Sequence, residues 1–271
     1  MRKHIAFIGG GNMASAIISG MIKGGAKSSA IDVIEPLAET RDKLKQQFGI
    51  SAQTQAGDFL ARASMVVWAV KPQNFKEAAL MARFHTKKAL HLSVAAGIPS
   101  SSIAKWLDNE RVIRTMPNTP ALIGKGITGM FARAAVTSDD RALAEQAIST
   151  TGALLWFEKE EALDAVTALS GSGPAYMFYF MEAMTEAGAQ MGLTRDQAYA
   201  LASATFVGAG ELARQSTEPP EILRQRVTSK GGTTHAAVTA MDASDIKTHF
   251  VQAMLAAQKR AQEMGREFGE A

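Results

Sequence analysis

Short runs of apolar residues alternate with amphipathic stretches over residues 4–157. Continuous apolar runs predict strands buried on both faces of a sheet, and they stand at 4–9, 31–35, 65–70, 89–94 and 112–115. Helical spacing separates them, at 13–23, 38–48, 74–84 and 101–107. Strands that alternate with helices predict βαβ units in a mostly parallel sheet. A further strand pair, around one more helix, is expected at 126–131 and 154–157.

The pattern changes after Lys159-Glu160-Glu161, beyond which no stretch has the features of a strand. Residues 174–193 are almost all apolar or small, and Thr194 with Gln197 forms a capping box that predicts a second long helix. Later helix starts are expected at Pro219-Pro220, Gly231–Thr234 and Ser244. We predict an α/β fold: a Rossmann-like, mostly parallel sheet domain over 1–160, then an all-helical dimerisation domain over 161–271.

The helical half is too apolar for a small domain that stands alone. A helix that is apolar on all sides has to be buried on all sides, and homodimer interfaces resemble a domain core cut in half. Glycines there would also permit close helix approach, at Gly188, Gly192, Gly208 and Gly210. We therefore expect a homodimer; the alternative is an unusually apolar monomeric bundle.

The turn after the first strand has the form G-x-G-x-x-A, with Gly9, Gly11 and Ala14 at the defined positions. A strand, this turn and a helix in that order are typical of dinucleotide sites, where the helix start binds the pyrophosphate. The alternative is a structural turn that binds nothing. The predicted cofactor-binding residues here are Ile8, Gly9, Gly10, Gly11, Asn12, Met13 and Ala14.

Glu35 ends the second predicted strand, where a carboxylate can accept hydrogen bonds from the ribose hydroxyls of NAD and would repel a 2′-phosphate. We expect NADH to be used competently, with NADPH also possible. Further cofactor contacts are predicted after later strands, at Ala69, Val70, Lys71, Pro72, Ala96 and Gly97. Lys71 could instead be a surface charge. Asn118, in a proline-flanked loop, is either a donor to substrate or cofactor or a turn-former.

Composition excludes several classes of protein and site. The chain is 46% hydrophobic and 20% charged, which argues against disorder, and its net charge of +3 is too small to predict a nucleic-acid or membrane surface. It has no cysteine, so thiol catalysis and cysteine metal sites are excluded, and its five histidines lack ligand spacing. We expect no metal. A signal-like start is broken by Gly9-Gly10-Gly11, so a cytoplasmic protein is expected.

Residues 220–234, PEILRQRVTSKGGTT, resemble the signature of pyrroline-5-carboxylate reductases. Segments 9–14, 69–72, 116–120 and 171–176 resemble that family's other segments in the same order, so the resemblance covers nearly the whole chain. It implies reduction of 1-pyrroline-5-carboxylate to L-proline by NADPH or NADH, and dimers that often assemble into decamers. Two positions depart from the family: Lys230 stands where proline is frequent, and Ala56 where some members have a polar side chain.

The residues 229–234 also suit a small acid on physical grounds. Gly231 and Gly232 free the backbone at a helix start, and helix N-termini bind anions. An ordinary helix cap is the alternative. The predicted substrate-binding residues are Ser229, Gly231, Gly232, Thr233, Thr234 and Asn118, and Thr234, directly or through a water, is the candidate catalytic proton donor.

Two other functions remain open on sequence alone. β-Hydroxyacid dehydrogenases share the two-part organisation, but they need a lysine after the junction, and no lysine occurs between Lys159 and Lys230. A protein that senses NAD(P)H and signals through a partner would keep the glycine turn and would not need an anion site at 231–234. Binding of the cofactor without turnover of any cyclic imine would favour the sensor.

Overall fold

The structure, a computed structural model, describes residues 3–270. Seven strands form one sheet in the order β2-β1-β3-β4-β5-β6-β7, with β5 and β6 antiparallel and every other pair parallel. The strands are β1 His4–Ile8, β2 Ile31–Ile34, β3 Ala63–Trp68, β4 Leu90–Ser93, β5 Val112–Met116, β6 Gly126–Ala132 and β7 Gly152–Trp156. This confirms the predicted Rossmann-like, mostly parallel sheet.

Helices cover both faces of the sheet, which explains why most residues of its central strands are apolar and buried. One buried cluster joins the sheet to α1 Asn12–Lys23, α2 Ala38–Phe48 and α5 Ser138–Ile148; a second joins it to α3 Pro72–Ala82 and α4 Ser100–Leu107. Phe7, Ile17 and Trp68 are fully buried in these clusters. The strand order reverses between β1 and β3, and in such sheets ligands bind at the carboxyl ends of the strands beside this reversal.

A short helical segment before the last long helices was not predicted from the sequence. It consists of α6 Ala162–Val166 and one π-helical turn, Thr167–Gly171. α6 packs directly on the sheet because β6 carries Gly129, where a Cβ would lie 2.9 Å from the Val166 side chain. Such π-helical turns are rare and frequently stand at functional sites.

The remaining helices are α7 Gly173–Gln190, α8 Arg195–Gln215, α9 Pro220–Arg226, α10 Thr233–Ala243 and α11 Ile246–Glu270. The capping box at the start of α8 is confirmed, with Thr194 and Gln197 bonded to each other's backbone N–H groups. The prediction that Ser244 begins the last helix is wrong. Ser244 ends α10, its N–H bonded to the Ala240 carbonyl, and α11 begins at Ile246 after Asp245 in the left-handed conformation.

By contacts, the described residues form two compact units, 3–172 with 257–270, and 173–256. The second unit buries little of its own apolar surface. α8 buries only Ala198 and Ala202 among its 21 residues, and α10 buries none. Gly188 permits close packing of α7 on α8, since a Cβ there would lie 2.6 Å from that of Ala198, whereas Gly208 and Gly210 face open space. The functional boundary at residue 160 stays a prediction.

Candidate functional site

The glycine turn after β1 has the backbone that a dinucleotide site requires. Gly9 has φ +95°, and a Cβ there would lie 2.4 Å from the Ala69 carbonyl oxygen, so only glycine fits. Its N–H donates to the Ile34 carbonyl at 2.8 Å, which joins the turn to the end of β2. Ile8 and Ala14 are buried on either side of the turn. The turn is therefore fixed by three strand ends.

Gly11 and the first turn of α1 leave room for an anion. No atom lies within 4 Å of the position of a Cβ on Gly11, and no side chain caps the helix start. Gly11 and Asn12 are exposed, and Met13 is half-buried. Uncapped N–H groups at a helix start carry partial positive charge, so these residues fit the pyrophosphate of a dinucleotide.

Glu35 is buried, at 7% exposure, and its carboxylate is bound to backbone. One oxygen accepts from the Gly10 N–H and the other from the Leu37 N–H, both at 2.9 Å. Nearby, the Arg41 guanidinium donates to the Glu35 carbonyl at 3.0 Å. Glu35 therefore holds the glycine turn as well as carrying the negative charge expected beside the ribose.

The other predicted cofactor contacts lie at the ends of β3 and β4. Ala69 and Val70 are partly exposed, Pro72 is the first residue of α3, and the Lys71 side chain is exposed. The loop after β4 includes Ala96 and Gly97. Gly97 has φ +73°, and a Cβ on it would lie 2.9 Å from the Cβ of Met264 on the last helix.

Asn118 follows β5 and holds its own loop. Its Oδ1 accepts from the Ile127 N–H at 3.0 Å, and its Nδ2 lies 3.4 Å from Ser170 Oγ on the π-helical turn. The carbonyl side of the amide is thus occupied by backbone, which favours the turn-forming role considered for this residue. Ser170 was not predicted as a neighbour of this loop.

The second predicted anion site lies at the start of α10, in the helical unit. Gly231 has φ +78°, and Gly232, whose N–H donates to the Ser229 carbonyl at 3.0 Å, precedes the helix. A Cβ on Gly232 would lie 2.8 Å from Ser229 Oγ, so the turn is compact. Thr233 and Thr234 begin the helix, no side chain caps it, and both are exposed. The segment therefore presents free N–H groups and two hydroxyls.

A buried charged cluster on β5 was missed from the sequence. The Arg114 side chain is 7% exposed and lies 3.0 Å from Glu160 and 3.6 Å from Asp164. Burial raises the pKa of the Asp164 carboxyl above its ordinary value, although Arg114 lowers it. An arginine inside the otherwise buried run 112–115 was the sequence signal for this cluster.

Over residues 3–270, no group of three or more acidic or histidine side chains could hold a metal ion. Within the same range, none of the helices combines the length and the apolar character needed to cross a membrane.

Comparison with known proteins gives two matching family models. Residues 160–264 match a model described as pyrroline-5-carboxylate reductase dimerisation, and residues 4–97 match one described as NADP oxidoreductase, coenzyme F420-dependent. The first match covers the helices that bury little of their own surface. The chain therefore carries a family dimerisation domain and forms homo-oligomers.

The similarity covers nearly the full length of known relatives. A pyrroline-5-carboxylate reductase of Pseudomonas aeruginosa is 41% identical over 269 residues, 98% of each chain. A solved reductase of that name from Coxiella burnetii has a TM-score of 0.90 at 36% identity, over 97% of this chain and 99% of the other. The Plasmodium falciparum pyrroline carboxylate reductase, solved with NADP bound, has a TM-score of 0.86 at 25% identity over 97% and 98%. The chain belongs to the pyrroline-5-carboxylate reductase family.

Proposed function

We propose that this protein reduces 1-pyrroline-5-carboxylate to L-proline with NADH or NADPH, the last step of proline synthesis. The proposal rests on two helices, α1 and α10, that each begin after a glycine, Gly11 and Gly232, without a side-chain cap, in a chain of this family. The reaction needs one site for a pyrophosphate and one for a single carboxylate. Helix N-termini suit both anions.

The first helix start suits the dinucleotide. The N–H groups of Gly11, Asn12 and Met13 would hold the pyrophosphate, and the open space at Gly11 lets it approach the backbone. The nicotinamide half would lie along the ends of β3 and β4, beside the segments 69–72 and 96–97. When bound, NAD(P)H supplies the hydride that reduces the C=N bond.

The second helix start suits the substrate. The N–H groups of Thr233 and Thr234 would bind the carboxylate, with the Ser229 hydroxyl as a further donor, and Gly231 and Gly232 keep side chains out of the way. An iminium is already a good hydride acceptor, so the protein mainly has to orient it against the cofactor at about 3–3.5 Å. Asn118 is a weaker candidate, because its donor atom Nδ2 already faces Ser170 Oγ at 3.4 Å.

Thr234 is our candidate for the proton that reaches the ring nitrogen, either from its hydroxyl or through a water that the hydroxyl holds. If so, Thr234→Ala lowers kcat and kcat/KM together, because the interaction belongs to the transition state. Thr233→Ala is the matched control on the same helix turn. A variant with normal kcat and a raised KM would assign Thr234 to binding alone.

The position of Glu35 supports competent use of NADH. Its carboxylate is fixed by two N–H groups next to the turn, so it cannot swing away from a 2′-phosphate without breaking both hydrogen bonds. Like charges in a partly buried place repel strongly. We therefore expect NADPH to bind less well than NADH.

Assembly beyond the dimer and the cellular location belong to the same proposal. Decamers are proposed from the resemblance to the family alone, and sedimentation of the purified protein tests them. The cytoplasm is proposed because a chain without cysteine is compatible with a reducing compartment.

An absorbance assay at the nicotinamide band tests the function. Purified protein with NADH and 1-pyrroline-5-carboxylate should form one L-proline for each NADH consumed, and the six-membered cyclic imino acid tests the ring size that is accepted. Cofactor binding with no turnover of either imine would overturn the proposal and would favour a sensor of NAD(P)H.

A further inference from the structure

Three charged side chains are packed together on one face of the sheet, away from the glycine turn. Arg114 on β5 is 7% exposed in its side chain, Asp164 on α6 is 17% exposed and Glu160 just before α6 is 20% exposed. The guanidinium donates to Glu160 Oε1 at 3.0 Å and lies 3.6 Å from Asp164 Oδ1. The cluster thus joins a central strand to the helical segment that follows the sheet.

Glu160 makes a second set of hydrogen bonds that Asp164 does not make. One of its oxygens accepts from the Ser100 N–H at 2.6 Å and the other from the Ser100 hydroxyl at 2.5 Å, at the start of α4. It therefore caps a core helix from 60 residues away, and its removal would disturb the fold. Asp164 contacts Arg114 only, among the salt bridges of the described residues, so it is the member that tests the cluster's role cleanly.

Asp164 lies one turn before the π-helical segment Thr167–Gly171. That segment is closed by the Ser172 N–H, which donates to the Thr167 carbonyl at 2.9 Å. Its end packs on the carboxyl end of β5, where a Cβ on Gly171 would lie 2.3 Å from Met116 Cε. Ser170 Oγ lies 3.4 Å from Asn118 Nδ2 at the same place. The ion pair with Arg114 therefore holds the start of the helical stretch 162–171, and close packing against Met116 holds its end.

A buried ion pair is a weak means of stabilising a fold, because desolvation of the charges offsets their attraction. A packed apolar residue would hold α6 on the sheet equally well. A pair of charges does differ from apolar packing in being directional, since it favours one position of the helix over neighbouring ones. A wide π-helical turn is also less regular than an α-helix. The pair therefore suits a segment whose exact position matters.

We propose that Asp164 is a positioning residue for the reaction. Through Arg114 it fixes the π-helical segment, and with it Ser170 and Asn118, at the carboxyl edge of β5, next to the end of β4 that leads into the loop 95–97. The turnover measurements below rest on the proposed function, whereas the hydrogen-exchange measurement does not.

The variants Asp164→Ala and Asp164→Asn test this, with Glu161→Gln as the matched control, since Glu161 is an exposed carboxylate on the same segment. We expect Asp164→Ala to lower kcat about tenfold, as small misplacements near reacting groups do. NADH affinity should stay within about twofold, because the glycine turn is distant from the change. Asp164→Asn keeps an oxygen beside the Arg114 guanidinium and should recover part of kcat.

Hydrogen exchange gives a readout that needs no turnover. In Asp164→Ala the amides of 167–172 should exchange at least about tenfold faster, while those of β1 and α1 keep their protection. Wild-type turnover in the same assay bears on the proposed function, and the exchange pattern bears on the positioning role, so the two can fail separately.

Two results would overturn the proposal. One is that Asp164→Ala and Glu161→Gln have equal kcat values when both are saturated with NADH. The other is faster exchange spread evenly over the whole sheet unit, which is what a merely structural residue would give. If Asp164→Ala does not fold, Arg114→Lys keeps the charge and removes the fork-shaped donor. It should then show the same local exchange and the same loss of kcat.

Discussion

The two candidate anion sites differ in how much of their surroundings one chain supplies. The glycine turn lies among three strand ends, with Gly9 against Ala69 and Gly10 bonded to Glu35, and five residues of α1 are buried behind it. The start of α10 is exposed, and that helix buries no residue in the single chain. We therefore expect one subunit to build the cofactor site by itself, and the substrate site to need the partner subunit.

The largest effect is expected from a charge in the apolar surface of the helical unit. Val207 on α8 is 70% exposed in the single chain, so Val207→Arg should cost an isolated chain little, but it would place an unpaired charge on the apolar surface that we expect the partner to cover. We expect loss of the homo-oligomer and of most activity, measured by sedimentation and turnover. Met81→Arg, at a residue 61% exposed on α3, is the control and should leave both unchanged. A monomeric, fully active Val207→Arg protein would contradict the claim that the substrate site needs the partner subunit.

The glycine turn can be separated into its folding and its binding roles. Gly9→Ala forces a Cβ against the Ala69 carbonyl at a positive φ and should lower the free energy of unfolding by about 2 kcal/mol or more. Gly11→Val fills open space and should leave that free energy unchanged. Both substitutions should weaken NADH binding about 100-fold or more, because the pyrophosphate can no longer approach the backbone closely. Thermal unfolding and fluorescence titration measure the two effects.

Cofactor preference should depend on one carboxylate. Glu35→Gln removes the negative charge and keeps one acceptor for the N–H of Gly10 or Leu37. We expect the ratio of kcat/KM for NADPH to that for NADH to rise about tenfold, with a stability loss of about 1 kcal/mol. Glu39→Gln removes an exposed charge on the adjoining helix and should leave the ratio unchanged. An unaltered ratio in Glu35→Gln would show that another group excludes the 2′-phosphate.

The effect that is smallest near neutral pH concerns the pH dependence of the sheet unit's stability. Burial lowers the pKa of His91 to about 3, and its Nδ1 accepts from the Trp68 indole N–H. The unfolded chain, with an ordinary pKa of 6.5, binds the proton more readily than the folded one. Stability is therefore full above that pH and falls by about 1.4 kcal/mol for each unit below about pH 6, until the folded protein titrates.

Urea unfolding at several pH values measures this dependence. The substitution His91→Asn should flatten it, while His85→Asn, at a partly exposed histidine beside Asp58, should not. Equal slopes in all three proteins would contradict the role given to His91.

The parts of the fold that sequence predicted are those set by local rules. The apolar runs predicted the strands, and the capping box at Thr194 depends on residues only three apart. The glycine turn was recognised from its local spacing, although Gly9 itself packs against Ala69 and bonds to Ile34. Asp164 and Arg114 are 50 residues apart, and Glu160 caps a helix 60 residues away, so no local pattern reports them. The prediction at Ser244 failed because its N–H completes α10, and the chain turns at Asp245 before α11 begins at Ile246. The apolar helices predicted a homodimer, but the spacing of apolar residues does not say which of the exposed residues a second chain covers.

A crystal structure of the protein with NADH and L-proline would locate both bound anions. The pyrophosphate should lie on the N–H groups of Gly11 and Asn12, and the proline carboxylate on those of Thr233 and Thr234. Proline bound away from residues 229–234, or a pyrophosphate away from the glycine turn, would contradict this placement.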